Sequence, residues 1–186
     1  GKPSDWSAPA TFEAGLLNNS DWSGEWISTP EPVRGLYKCS VNRKGPDGKT
    51  KNIYDFRIGV PPAYFRKTFD VKAGLISARL YAASLGDFEA YANGERIGNE
   101  FFGTGWTQYD KRVASDAFDI TKFLKTGENT VGAILADGWY AGRITHRDGN
   151  SPKPELLMQI ELKYADGSTQ TVATDTSWKT SFGPYL

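Results

Sequence analysis

The chain has 186 residues, with 22 Lys+Arg against 22 Asp+Glu and a formal net charge of zero. A chain of this length buries roughly 70% of its unfolded surface, enough for one sizeable domain, or one domain plus a fragment, without disulfide or metal staples. The even charge argues against nucleic-acid and anionic-membrane partners, which call for a basic surplus. One cysteine, Cys39, and one histidine, His146, exclude an internal disulfide, a Cys-rich zinc site and a metal site built from several histidines. The longest apolar runs resemble VGAILA, too short to cross a membrane as a helix, and no signal peptide is visible at GKPSDW. Aromatic residues make up 13%, including 6 Trp and 9 Tyr, whose flat faces with polar tips suit a sandwich core and sugar contacts equally.

In chain order, residues 1–28 hold WSAPATFEAGLLNNSDWSGEWI, a strand-like piece with tryptophans that look exposed. Residues 29–62 are rich in Pro, Gly and Lys with little periodicity, and read as a solvated surface excursion with room for a hairpin. From Ala63 onward, strand patterns alternate with turn signals. In ISARLYAA, the residues Ile76, Ala78, Leu80 and Ala82 share one face. The turn NG at Asn93-Gly94 favours a hairpin. In FDITKFLKTGENTVGAILA, Asp119 or Thr121 caps a single helical turn through Phe123–Lys125, Gly127 ends it, and a strand starts at Asn129. LLMQIELKY alternates strictly, with Leu156, Met158, Ile160, Leu162 and Tyr164 on one face and Gln159, Glu161 and Lys163 on the other. ADGS then turns the chain into TQTVAT. The expected fold is an all-β, antiparallel jelly-roll β-sandwich (galactose-binding-domain-like) with one short helical turn, occupying 63–186.

No nucleophile elbow, zinc-protease motif, P-loop or complete dinucleotide fingerprint is present, so no residue is assigned a catalytic role. His146, in RITHRDG beside Arg147 and Asp148, reads as a loop residue on the surface. Two aromatic motifs invite a binding role instead. GTGWTQY offers Trp106 with Gln108 and Tyr109, near Asn99 and Glu100; ADGWYAGR offers Asp137, Trp139, Tyr140 and Arg143. A sugar platform needs a planar aromatic face and flanking polar groups. The competing readings are sheet corners and wedges against a neighbouring domain, where glycine simply permits close backbone approach. Asp87 could join either cluster or ligate a metal.

The ordered series YFRKTFDV, ARLYAASLGDFEAYANGERIG, GTGWTQYDKR, FDITKFLKTGENTVGAILADGWYAGR and ADGSTQTVATDTSWKTSFGP resembles the N-terminal β-sandwich region of bacterial α-L-rhamnosidases, glycoside hydrolase family 78. The resemblance covers nearly everything outside 29–62. It implies that 1–28 is the end of a preceding fibronectin-type domain with its linker. It also implies that catalysis belongs to a separate (α/α)6 barrel absent from this chain. The expected role is therefore that of a non-catalytic accessory domain, with L-rhamnose-containing carbohydrate and the other domains of a parent chain as partners. Some members of the family take rhamnose with the help of calcium, and others are architectural. No cofactor is required; calcium is the one candidate, with Asp87, Asn99 and Asp137 as ligands. Asn99 stands where the family usually has aspartate, which withdraws a charge from such a site. Three functions follow: a rhamnose-binding module, a structural domain that positions the barrel, or, remotely, an independent glycosidase.

Overall fold

In a computed structural model of the chain, residues 5–10, 12–30, 35–59, 61–101, 103–142 and 152–183 are described, those of 35–43 and 51–59 by backbone only. Two antiparallel sheets make the sandwich. The first orders strands β10 (Thr169–Ala173), β9 (Glu155–Tyr164), β4 (Leu75–Leu85) and β7 (Ser115–Asp119). The second orders β11 (Lys179–Phe182), β3 (Ala63–Val71), β8 (Gly127–Ala136), β5 (Asp87–Ala92) and β6 (Glu95–Ile97). Alternation puts Leu80, Ile160 and Leu162 of the first sheet against Phe65, Val131 and Leu135 of the second, all essentially buried. Each such side chain contributes about 1.5–3 kcal/mol by leaving water.

The strand pattern is realised with two departures. Ile76 is exposed although Ala78, Leu80 and Ala82 are fully buried. Leu75 pairs with Tyr164 and Ser77 with Lys163, leaving Ile76 as an extra residue at a bulge, so parity slips by one. Gln159, expected on the solvent side of β9, is buried because residues 21–23 lie over it. Ser23 donates to its Oε1 from the backbone N–H (2.7 Å) and from Oγ (2.9 Å), and its Nε2 donates to the Asp21 carbonyl at 3.0 Å. The same N-terminal segment pairs Glu13 with Arg79, sets Trp22 edge-on to Tyr81, and makes an antiparallel bridge between Ile27 and Leu156.

The hairpin turn sits at Asn93-Gly94, with φ of +50° and +87°. A 3-10 turn spans Thr121–Phe123, earlier than the expected Phe123–Lys125, because Asp119 Oδ1 accepts the Thr121 N–H and hydroxyl and starts it there. Among the described residues two further short turns occur, a 3-10 turn at Asn19–Asp21 and helix α1 (Gly138–Ala141). Within the excursion, β1 (Gly35–Lys44) and β2 (Thr50–Gly59) form their own antiparallel hairpin from Gly35↔Gly59 to Lys44↔Thr50.

Candidate carbohydrate site

One end of the sandwich gathers three connections: the β4–β5 crossover at Gly86, the long 98–114 link between β6 and β7, and the corner after β8 that leads into α1. At Gly86 the chain passes from one sheet to the other with φ +138°, and a Cβ there would lie 2.4 Å from the Ala136 carbonyl. Only glycine makes this crossing without moving β8. Ser84, fully buried, ties the crossover to the long link: its hydroxyl donates to the Gly86 carbonyl at 2.8 Å and lies 3.0 Å from Thr104 Oγ1. Thr104 has φ +67°, and its N–H donates to Asp116 Oδ2 at 3.0 Å.

These tethers bring together the two aromatic motifs that are separate in sequence. The Trp106 and Trp139 rings stack with centroids 5.3 Å apart and planes within 10°. Tyr109 and Tyr140 meet edge to face at 5.1 Å. Trp106 remains 66% exposed and Trp139 37%, so the stack shields one indole face of Trp106 while much of that ring stays in solvent. Burial raises the phenol pKa of both tyrosines, with Asp87 adding to the effect at Tyr109 and Glu155 at Tyr140.

Asp87 lies directly below the corner. Gly138, at φ +51°, approaches so closely that a Cβ would stand 2.6 Å from the Asp87 carboxyl carbon. One oxygen, Asp87 Oδ1, is buried without a hydrogen-bond partner among the described residues, and desolvation raises the pKa of this carboxyl above its ordinary value.

The other expected residues sit differently. Asn99 and Glu100 form a separate exposed limb, where the Asn99 N–H donates to Glu100 Oε2 at 2.9 Å. Gln108 is exposed, and its backbone carbonyl accepts from the Lys111 and Arg112 N–H groups. The Asp137 carbonyl accepts from the Ala141 N–H at 2.9 Å as α1 begins. Arg143 and His146 lie outside the described residues. Calcium takes six to eight oxygens. Among the described residues no group of three or more His, Cys, Asp or Glu side chains is placed to hold a metal ion.

Sequence reasoning missed Phe101, 69% exposed, whose ring lies 4.3 Å from the Arg96 guanidinium carbon. The adjacent Phe101-Phe102 pair between Glu100 and Gly103 is the signal that could have found it.

A family model described as the alpha-L-rhamnosidase N-terminal domain matches residues 73–186. The alpha-L-rhamnosidase of Formosa agariphila is 34% identical over 187 residues, covering 98% of this chain and 19% of that protein. Among solved structures, the alpha-L-rhamnosidase from Dictyoglumus thermophilum superposes with a TM-score of 0.72 at 34% identity, over 91% of this chain and 18% of that one. The Streptomyces avermitilis alpha-L-rhamnosidase complexed with L-rhamnose gives 0.65 at 34% identity, over 69% of this chain and 13% of that one. The chain thus spans no more than 19% of any of these three relatives.

Proposed function

Since the chain belongs to the alpha-L-rhamnosidase N-terminal domain family, we propose that it is a non-catalytic accessory sandwich of a rhamnosidase and that its loop end binds rhamnose-type carbohydrate weakly. The observation that carries this reading is the Trp106–Trp139 stack: an indole plane fixed in position by a second indole, yet largely in solvent. A sugar's C–H face can lie on such a plane while neighbouring polar groups take its hydroxyls, and a fixed plane loses little entropy on binding. L-rhamnose in the S. avermitilis structure makes this sugar the first ligand to test. A single shallow site of this kind has a Kd on the order of 0.1–1 mM, and tethering beside a catalytic barrel makes such an affinity useful.

The test is an NMR titration of amide shifts with L-rhamnose, repeated with calcium and then with chelator. Saturable shifts lost in Trp106→Ala support the reading, and the chelator step reports whether an ion takes part. Absence of shifts up to tens of millimolar would reject it. A second reading, a domain that positions the catalytic barrel, is favoured by a different observation. Trp6 and Phe12 are each 99% exposed and Leu17 77%, an apolar series on the N-terminal segment suited to covering by other domains.

A further inference from the structure

On the first sheet, the side turned away from the core is not bare. Alternation on β4 and β9 turns Tyr81, Ala83, Leu157 and Gln159 outward, and register makes Tyr81 the neighbour of Gln159 and Ala83 that of Leu157. All four are nonetheless buried, at 8% exposure or less. On an antiparallel sheet with an open outer face these positions would be wet.

Residues 13–28 supply the cover, in contacts that follow one another along the segment. Glu13 pairs with Arg79, which also pairs with Asp119 Oδ2 at 2.9 Å. A Cβ on Gly15 would lie 3.5 Å from Cε1 of Tyr81, and Trp22 meets the same ring edge-on. Asp21 and Ser23 engage both ends of the Gln159 amide. Gly24 fits so closely that a Cβ would stand 2.9 Å from Thr174 Oγ1 and 3.1 Å from Leu157 Cδ1. Ser28 Oγ then donates to the Pro154 carbonyl at 2.8 Å.

The same segment also takes the place of a strand. β10 accompanies β9 only as far as Ala173, opposite Gln159, so the start of β9 lacks β10 as a partner. There Ile27 and Leu156 exchange both backbone hydrogen bonds at 2.9 Å, and the Glu25 N–H donates to the Thr174 carbonyl at 2.8 Å. An open edge is a row of unpaired donors and acceptors, and here the chain's own N-terminal segment pairs it. Just upstream the attachment stops: Trp6 and Phe12 are each 99% exposed.

We propose that residues 13–28 are a strap belonging to this sandwich, at once cover and edge strand, that folds and unfolds with it, and not the end of a preceding domain with its linker. Domain boundaries fall where few contacts cross, which here is between Phe12 and Glu13. Tolerance to truncation follows burial and backbone pairing, so a cut before Glu13 is harmless and a cut after Ser28 strips both the face and the edge.

The experiment follows urea unfolding by circular dichroism and tryptophan fluorescence. Four chains are compared: the 186-residue chain, the chain lacking residues 1–12, and the full chain with Leu17→Ser or Gly24→Val. Loss of 1–12 and Leu17→Ser leave the unfolding constant within about twofold of the parent, since Trp6, Phe12 and Leu17 sit in solvent. Gly24→Val pries the strap from Thr174 and Leu157 and raises that constant at least about tenfold, within one transition. Amide hydrogen exchange on the parent needs no substitution: the Ile27 and Leu156 N–H groups exchange within about a hundredfold of those in the middle of β8. Faster exchange at both, a separate early transition for the strap, or Gly24→Val unfolding with the parent's constant would overturn the proposal.

Discussion

The Asp87 carboxyl couples the stability of the fold to pH. Its carboxyl is desolvated under Gly138 and one oxygen lacks a partner, so the folded chain holds the proton more tightly than the unfolded chain does. A carboxyl whose pKa rises on folding makes stability greatest below the unfolded value of about 3.9, and stability falls as pH climbs from there through the folded value. Asp87→Asn removes this dependence. Unfolding midpoints measured against pH are expected to show the variant gaining on the parent between about pH 3 and pH 7, in the direction that linkage sets. A variant that loses ground over that window would mean that the ionised carboxylate is satisfied in the folded chain. Asp119 runs the other way. Thr121 and Arg79 hold its carboxyl below the ordinary value, so its contribution is present at neutral pH and fades as pH falls through the lowered value.

At the scale of elements, Asn129 shows how one buried amide fixes the turn that leads into a strand, which starts at Gly127, two residues before the expected Asn129. It is 1% exposed, and its Oδ1 accepts the Lys125 N–H at 3.0 Å and the Asn93 amide at 2.8 Å. Its Nδ2 donates to the Lys125 and Gly127 carbonyls at 2.6 and 2.8 Å. Asn129→Ala leaves those groups unpaired next to the core and is expected to cost about 1–3 kcal/mol in denaturant unfolding. A loss within experimental error would indicate that water replaces the side chain. The period-two runs made β4, β9 and the NG hairpin legible in the sequence, because alternation directly encodes which face is buried. Ile76 was not legible: a single bulged residue reverses parity without altering composition. Gln159 was not legible either, since its cover comes from Asp21 and Ser23, far away in the chain. The β1–β2 hairpin was allowed for in the 29–62 excursion but not placed, although Tyr37, Cys39 and Val41, and Tyr54, Phe56 and Ile58, alternate with polar residues on either side of Asp47-Gly48.

Across the whole molecule, the candidate site assembles from segments that only the sandwich topology makes neighbours. The motifs GTGWTQY and ADGWYAGR were each conspicuous in the sequence, yet their contact depends on β7 and β8 running in opposite sheets and returning the chain to the same end. No local pattern encodes that return. Glycine does encode the close approaches, at Gly86 between the sheets and at Gly138 over Asp87. Phe101 escaped notice because its meaning lies in Arg96, five residues back around a turn at Gly98. What the fold presents at this end is a pair of stacked indoles, one of them largely in solvent. Most of the sandwich could be drawn from alternation; the meeting of the two aromatic motifs could not.

The claim that the stacked indoles form one sugar-binding unit is tested most directly by following the indole N–H resonances of Trp106 and Trp139 while L-rhamnose is added to the folded chain. The account predicts that both resonances move, saturably and along a single curve, with one Kd on the order of 0.1–1 mM. If both stay fixed up to tens of millimolar sugar while the chain remains folded, this end of the sandwich is not a rhamnose site, and the tryptophans serve contacts with other domains.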